Sequence, residues 1–156
     1  MWTIQRLYYT VRGTANSCVV DASVILKWFL PYESEASLAA RVKSDIDSSQ
    51  LIAYIPQLAV IETFNVLSLK QRYRSDPGRT MGDVKNLILQ GKLTQKRLRR
   101  DDFARALQIV SSYQLVFYDA CYLALAERLK AKYLTADYRA TSKLTSRTDI
   151  TELRAY

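Results

Sequence analysis

Four carboxylates stand where a purely structural account is strained: Asp21, Glu62, Asp119 and Asp137. Asp21 and Asp137 each end a short apolar run, Cys18-Val19-Val20 and Tyr133-Leu134-Thr135-Ala136, of the kind that forms a buried strand. Ligands of open α/β sheets bind just outside the carboxyl ends of the strands, so an acid there is available for chemistry. Glu62 lies in the apolar stripe of its own segment, with Leu58 and Val66 at i−4 and i+4 and no Lys or Arg at i±3 or i±4. Burying it unpaired costs roughly 3–5 kcal/mol, so a compensating cation is expected through space. Asp119 follows Gln114-Leu115-Val116-Phe117-Tyr118 and opens an Ala/Leu-rich segment, where it reads either as a helix-capping acid or as the fourth member of the set. A divalent metal centre, of one ion or two, satisfies all four together. Carboxylate oxygens without His or thiolate partners suit Mg²⁺ or Mn²⁺ and disfavour zinc. Without the ion, mutual repulsion forces some of these acids to keep protons near neutral pH.

Composition removes the main rivals to metal chemistry. The 156 residues contain no histidine, which excludes Ser-His-Asp and Cys-His nucleophile activation, histidine acid/base chemistry and His-ligated zinc. Cys18 and Cys121 cannot alone close a thiolate zinc site and read as reduced core residues of a cytoplasmic protein. The four glycines, Gly13, Gly78, Gly82 and Gly91, permit neither G-x-G-x-x-G nor a Walker A loop. No run approaches 18 apolar residues, and Arg6 and Arg12 interrupt the start, so neither a membrane span nor a signal peptide is expected. The length suits one domain that buries roughly 68–70% of the unfolded chain's surface.

The net charge is +8, and residues 70–105, with 11 Lys+Arg against 4 Asp+Glu, supply +7 of it. That segment reads as a surface for a polyanion or as a solvated helix-and-loop face. Lys96, Arg97, Arg99 and Arg100 are its densest part.

The elements that must position the acids follow from apolar spacing. Residues 17–20 predict a strand and 22–29 a helix; Leu38, Val42 and Ile46 mark a second helix, and 51–55, closed by Pro56, a second strand. Residues 57–71 keep a helical period, followed by a basic turn over 74–78 and a further helix over 82–90. Residues 92–98 are polar enough to be a strand only at a sheet edge. Helices from Asp101-Asp102 and from Asp119 to about 130, a strand over 133–136, a short helix and a last strand near Ile150 complete the chain. Strands alternating with helices argue a parallel sheet covered on both faces.

In order along the chain, Cys18-Val19-Val20-Asp21-Ala22-Ser23, then Ile55-Pro56 with Glu62 and Asn65, then Tyr118-Asp119-Ala120-Cys121-Tyr122-Leu123-Ala124-Leu125-Ala126, then Leu134-Thr135-Ala136-Asp137 resemble the PIN domain, in particular VapC-type toxins. The resemblance covers nearly the whole chain, leaving residues 1–17 as an N-terminal extension ahead of a PIN-like domain of residues 18–156. It implies a three-layer α/β/α sandwich whose parallel five-stranded sheet has the order 3-2-1-4-5. That order sets the strands ending at Asp21 and Asp137 side by side, at the topological switch point.

The resemblance further implies that Asp21, Glu62, Asp119 and Asp137 are the catalytic acids and the ligands of Mg²⁺ or Mn²⁺, Asp21 and Asp119 foremost. Ser23, Thr135 and Asn65 become polar neighbours of the site. The implied activity is endoribonucleolytic hydrolysis with water as nucleophile, leaving a 5′-phosphate and a 3′-hydroxyl. The implied partners are RNA, a VapB-like antitoxin and a second copy of the chain, with Lys96, Arg97, Arg99 and Arg100 guiding the RNA backbone. The extension and the polar third strand depart from the family pattern. Trp28-Phe29-Leu30-Pro31-Tyr32 reads as core or as a surface for a second subunit or antitoxin. Two other readings stay open: an RNA-maturation nuclease of the same fold, and a non-catalytic RNA-binding adaptor. A phosphoacceptor receiver or a D-x-D phosphatase fits poorly, because Ala22 and Ser23 follow Asp21.

Overall fold

The computed structural model describes residues 16–89 and 91–156. The extension expected over residues 1–17 therefore lies outside the described residues except for its last two. Those two already belong to the sheet: Ser17 opens β1 (Ser17–Val20), and the Asn16 carbonyl accepts from Ile52 N at 2.9 Å.

Five parallel strands, β1, β2 (Ile52–Pro56), β3 (Leu93–Lys96), β4 (Lys132–Thr135) and β5 (Ile150–Glu152), lie in the order β3-β2-β1-β4-β5. The three central strands are the apolar ones, as burial on both faces requires, whereas β3 exposes Thr94 and Gln95 at the edge. Cys18 pairs with Lys132 and Val20 with Leu134, and the ladder runs one residue further because Asp21 N donates to Leu134 O at 2.9 Å. Asp21 is thus held against the end of β4 before α1 (Ala22–Phe29) turns away.

The remaining helices are α2 (Ala36–Asp47), α3 (Gln57–Ser68), α4 (Gln71–Arg74), α5 (Pro77–Val84), α6 (Arg100–Tyr113), α7 (Phe117–Leu129) and α8 (Tyr138–Thr141). Every residue of α7 from Ala120 to Ala126 is buried; its alternating alanines allow the helix to lie close against the sheet. Among the described residues, no single helix is long and apolar enough to cross a membrane.

Three boundaries differ from the sequence expectation. The helix expected over 57–71 breaks after Ser68, and α4 follows as a separate turn. The basic turn expected over 74–78 is mostly a helix start: Asp76 accepts from Arg79 N at 3.0 Å and Pro77 takes the first helical position, where its missing N–H costs nothing. The helix expected from 82 therefore begins at Pro77 and passes into a π-helical turn, Lys85–Leu89.

Candidate active site

The carboxyl ends of β1 and β4 carry Asp21 and Asp137, as the strand order requires. Asp21 is only 6% exposed, and among the described residues it makes no ion pair: its Oδ2 accepts from Thr135 Oγ1 at 2.5 Å, Tyr133 OH at 3.0 Å and Ser23 Oγ at 3.0 Å. Ser23 Oγ also accepts from Ala136 N, and Thr135 Oγ1 from Asp137 N, both at 3.0 Å. Two hydroxyls, those of Ser23 and Thr135, thus knit the β1–α1 corner to the β4–α8 corner beside Asp21. Burial pushes the Asp21 carboxyl above its ordinary value, against the pull of these hydrogen bonds.

Glu62 comes from α3 and is half-buried. Among the described residues Glu62 makes no ion pair; Tyr122 OH, from α7, donates to Glu62 Oε2 at 2.5 Å. A phenol satisfies the carboxylate without adding a buried charge of its own. Burial raises the Glu62 pKa, the Tyr122 bond opposes this, and the Asp21 charge adds to it.

Asp119 sits in the first turn of α7, where burial and then the charges of Asp21, Asp137 and Glu62 push it up to about 7, with Lys143 pulling weakly the other way. Asp137 caps α8, accepting from Arg139 N at 3.0 Å and Ala140 N at 3.3 Å, with Arg139 Nε 3.7 Å away. Asn65 is exposed, and no hydrogen bond among the described residues joins it to the acids.

The four acids act on one another electrostatically, although among the described residues no three of them converge at metal-ligating distance. Like charges explain both facts. Three of the four carboxylates turn to donors of their own, hydroxyls for Asp21, a phenol for Glu62 and helix N–H groups for Asp137. In chemistry and charge the set fits a hard divalent cation: its donors are carboxylate oxygens, and among the described residues no Lys or Arg makes an ion pair with Asp21, Glu62 or Asp119.

Acids raised in the folded state make stability fall with pH. Asp119, at 3.8 when unfolded and about 7 when folded, contributes nothing unfavourable below pH 4 and destabilises the fold progressively as pH rises to 7; Asp21 and Glu62 act in the same direction. Full conversion of the Asp119 shift is about 4 kcal/mol, and its partial contact with water screens this to about 2 kcal/mol. Urea unfolding in EDTA should therefore show stability declining by about 2 kcal/mol from pH 4 to pH 7. A flat or rising profile would show that the acids do not share a field.

Lys96 ends β3 with its Nζ 5.2 Å from the Tyr54 ring centroid, and Arg97, Arg99 and Arg100 are exposed on the same carboxyl edge of the sheet as the acids. Arg105 leaves the basic segment: it holds Glu127 at 2.6 and 3.0 Å, and Arg147 joins the same carboxylate at 2.8 Å. The Trp28–Tyr32 patch divides. Leu30 is core, whereas Trp28, Phe29 and Pro31 line a cavity of about 510 Å³ beside the start of β3, with Arg72, Tyr73 and Leu87.

Tyr122 and Tyr133 are the residues that sequence reasoning missed as part of the site. The available signal was a phenol inside an otherwise hydrocarbon buried run, which needs an acceptor somewhere.

The PIN domain family model matches residues 18–144. Among curated proteins no sequence matches. Among solved structures, the fold is similar to a toxin-antitoxin complex from Klebsiella pneumoniae, at 15% identity and TM-score 0.61, over 87% of this chain and 97% of that one. It is also similar to VapC20 from Mycobacterium tuberculosis, described as a sarcin-ricin loop cleaving toxin, at 14% identity and TM-score 0.64 over 80% and 93% of the two chains. VapBC-1 from nontypeable Haemophilus influenzae matches at 10% identity and TM-score 0.63, over 88% and 98%. Because the matched stretch holds four of the five strands and all four acids, the chain belongs to the PIN domain family and shares its fold with VapC-type toxins.

Proposed function

We propose that this protein is a divalent-metal-dependent endoribonuclease, the toxin of a VapBC-type toxin-antitoxin pair. The observation that carries the reading is the gathering of the acids: Asp119 is half-buried, and burial and then the charges of Asp21, Asp137 and Glu62 push it up to about 7. Structural carboxylates are normally paired, and a fold that keeps Asp21, Glu62 and Asp119 without an ion pair among the described residues sustains that repulsion for a ligand. Asp21, Glu62, Asp119 and Asp137 would hold Mg²⁺ or Mn²⁺, which supplies an acidified water and offsets phosphate charge. Thr135, Ser23 and Tyr133 keep Asp21 oriented from one side, and Tyr122 does the same for Glu62. Lys96, Arg97, Arg99 and Arg100 bind the RNA backbone along the sheet's carboxyl edge.

The toxin assignment is supported by fold likeness to proteins described as a toxin-antitoxin complex and as VapBC-1. The cavity beside Trp28 and Phe29, lined also by Lys43, Asp47, Arg72 and Asp83, offers a mixed aromatic and charged surface to an antitoxin segment. The nuclease unit takes in Asn16 and Ser17, which join the sheet, and continues to residue 156; the chain works as a homodimer, and its two free buried cysteines suit the cytoplasm.

The test is cleavage of a mixed-sequence labelled RNA with Mg²⁺, with Mn²⁺ and in EDTA. Cleavage confined to the metal arms supports the reading. RNA bound but uncut with either metal turns it into the adaptor. Replacing Lys96, Arg97, Arg99 and Arg100 with Ser should weaken RNA binding and reduce the slope of log affinity against log salt by about 2–3. An unchanged slope would remove these four from the RNA path.

A further inference from the structure

Glu62 and Asp21 share a device that the family resemblance did not imply. Each meets the hydroxyl of a buried tyrosine: Tyr122 OH donates to Glu62 Oε2 at 2.5 Å, and Tyr133 OH to Asp21 Oδ2 at 3.0 Å. We propose that Tyr122 and Tyr133 are positioning residues, a stacked aromatic pair that fixes the carboxylates of Glu62 and Asp21 for a divalent cation. The inference rests on the metal-nuclease reading above.

The pair is rigid. Tyr122 is 1% and Tyr133 0% exposed, and their rings stack at 6.0 Å between centroids with 28° between planes. Neither ring can swing without displacing the other and the core around both, so each hydroxyl oxygen is fixed in space. The two rings come from α7 and β4, while the acids come from α3 and the β1–α1 corner. One aromatic unit therefore sets the relative placement of two acids that sit on different elements.

A buried phenol needs only some acceptor, and a backbone carbonyl would serve at less cost. Both phenols instead take site carboxylates, in hydrogen bonds strengthened by the acceptor's charge. Each bond leaves one oxygen of its acid largely unused. Among the described residues Glu62 Oε1 makes no hydrogen bond, and Asp21 Oδ1 receives only Ser23 N at 3.4 Å. The arrangement is that of an outer hydrogen-bonding layer around a metal site, orienting ligands from behind.

The test is Mn²⁺ binding by calorimetry, with melting temperatures in EDTA and in Mn²⁺, on the full chain. Tyr122→Phe keeps the stacked ring and deletes one oxygen. It should weaken Mn²⁺ binding about tenfold and shrink the rise in melting temperature that Mn²⁺ produces. In a Glu62→Ala background the same change should cost no further affinity, because Tyr122 acts through Glu62. Tyr133→Phe against Asp21→Asn asks the same of the other pair, and decides the matter if Tyr122→Phe does not fold. Unchanged Mn²⁺ affinity in both Phe variants overturns the proposal alone, as does an affinity loss that persists in the Glu62→Ala background. A wild-type chain that binds no Mn²⁺ overturns the metal-nuclease reading, and this inference with it.

Discussion

Asp21→Asn is expected to leave a folded and more stable protein that no longer cleaves RNA. The amide oxygen can take the place of Oδ2 and keep the hydroxyls of Thr135, Tyr133 and Ser23 satisfied. The substitution removes a buried charge that itself raises the pKa of Glu62 and Asp119. At neutral pH in EDTA, stability should rise by about 1–2 kcal/mol, or about 3–6 °C in melting temperature for a domain of this size. Cleavage in Mg²⁺ should fall by about 10³-fold or more, because a metal ligand and its charge are both lost. Opposite signs for stability and activity mark a group kept for function at a cost to the fold. The measurements are melting in EDTA and single-turnover cleavage of labelled RNA. If Asp21→Asn loses stability along with activity, the carboxylate is part of the scaffold and the metal reading loses its central ligand.

Asp102→Ala carries the largest expected loss of stability, about 3–5 kcal/mol, since breaking a buried pair strands its partner. Asp102 is 3% exposed, and its two oxygens do separate jobs. Oδ1 accepts from Arg128 Nε at 2.7 Å, joining α6 to α7, and Oδ2 accepts from Arg99 N at 2.7 Å, closing the start of α6. Arg128 in turn donates to Arg97 O at 3.1 Å, so the same contact holds the loop that carries the basic cluster. Melting should drop by about 10 °C or more. The salt dependence of RNA binding should weaken too, as Arg97, Arg99 and Arg100 lose their fixed backbone. Urea unfolding checks the first expectation and filter binding across a salt series the second. A loss under about 1 kcal/mol would place this pair with ordinary surface ion pairs.

The local elements were legible because their signals are local. Cys18-Val19-Val20 is a strand because three consecutive apolar residues precede an acid, and Ala22–Phe29 is a helix with Asp21 as its N-cap, its side chain accepting from Ser23 N. The polar β3 was read as an edge strand on the ground that Thr94 and Gln95 need water, and there it lies. The misplaced boundaries fall between 68 and 90, where Asp76-Pro77 looks like a turn from composition and proves to be a cap with its first helical residue.

The pairings that shape the candidate site were not legible. Tyr122 meets Glu62 across 60 residues of sequence and Thr135 meets Asp21 across 114, while Arg128 reaches Asp102 across 26. Periodicity states which face of an element is buried but not which partner waits there. Apolar spacing and composition were enough to establish an α/β fold whose acids end strands or open helices, with histidine chemistry closed to it. The packing of the helices set Tyr122 OH against Glu62, and it turned Arg105 toward Glu127 rather than leaving it for a polyanion. The physical reason is that burial and charge compensation are properties of neighbours in space, and those neighbours are set by how α3, α6 and α7 pack together and on the sheet.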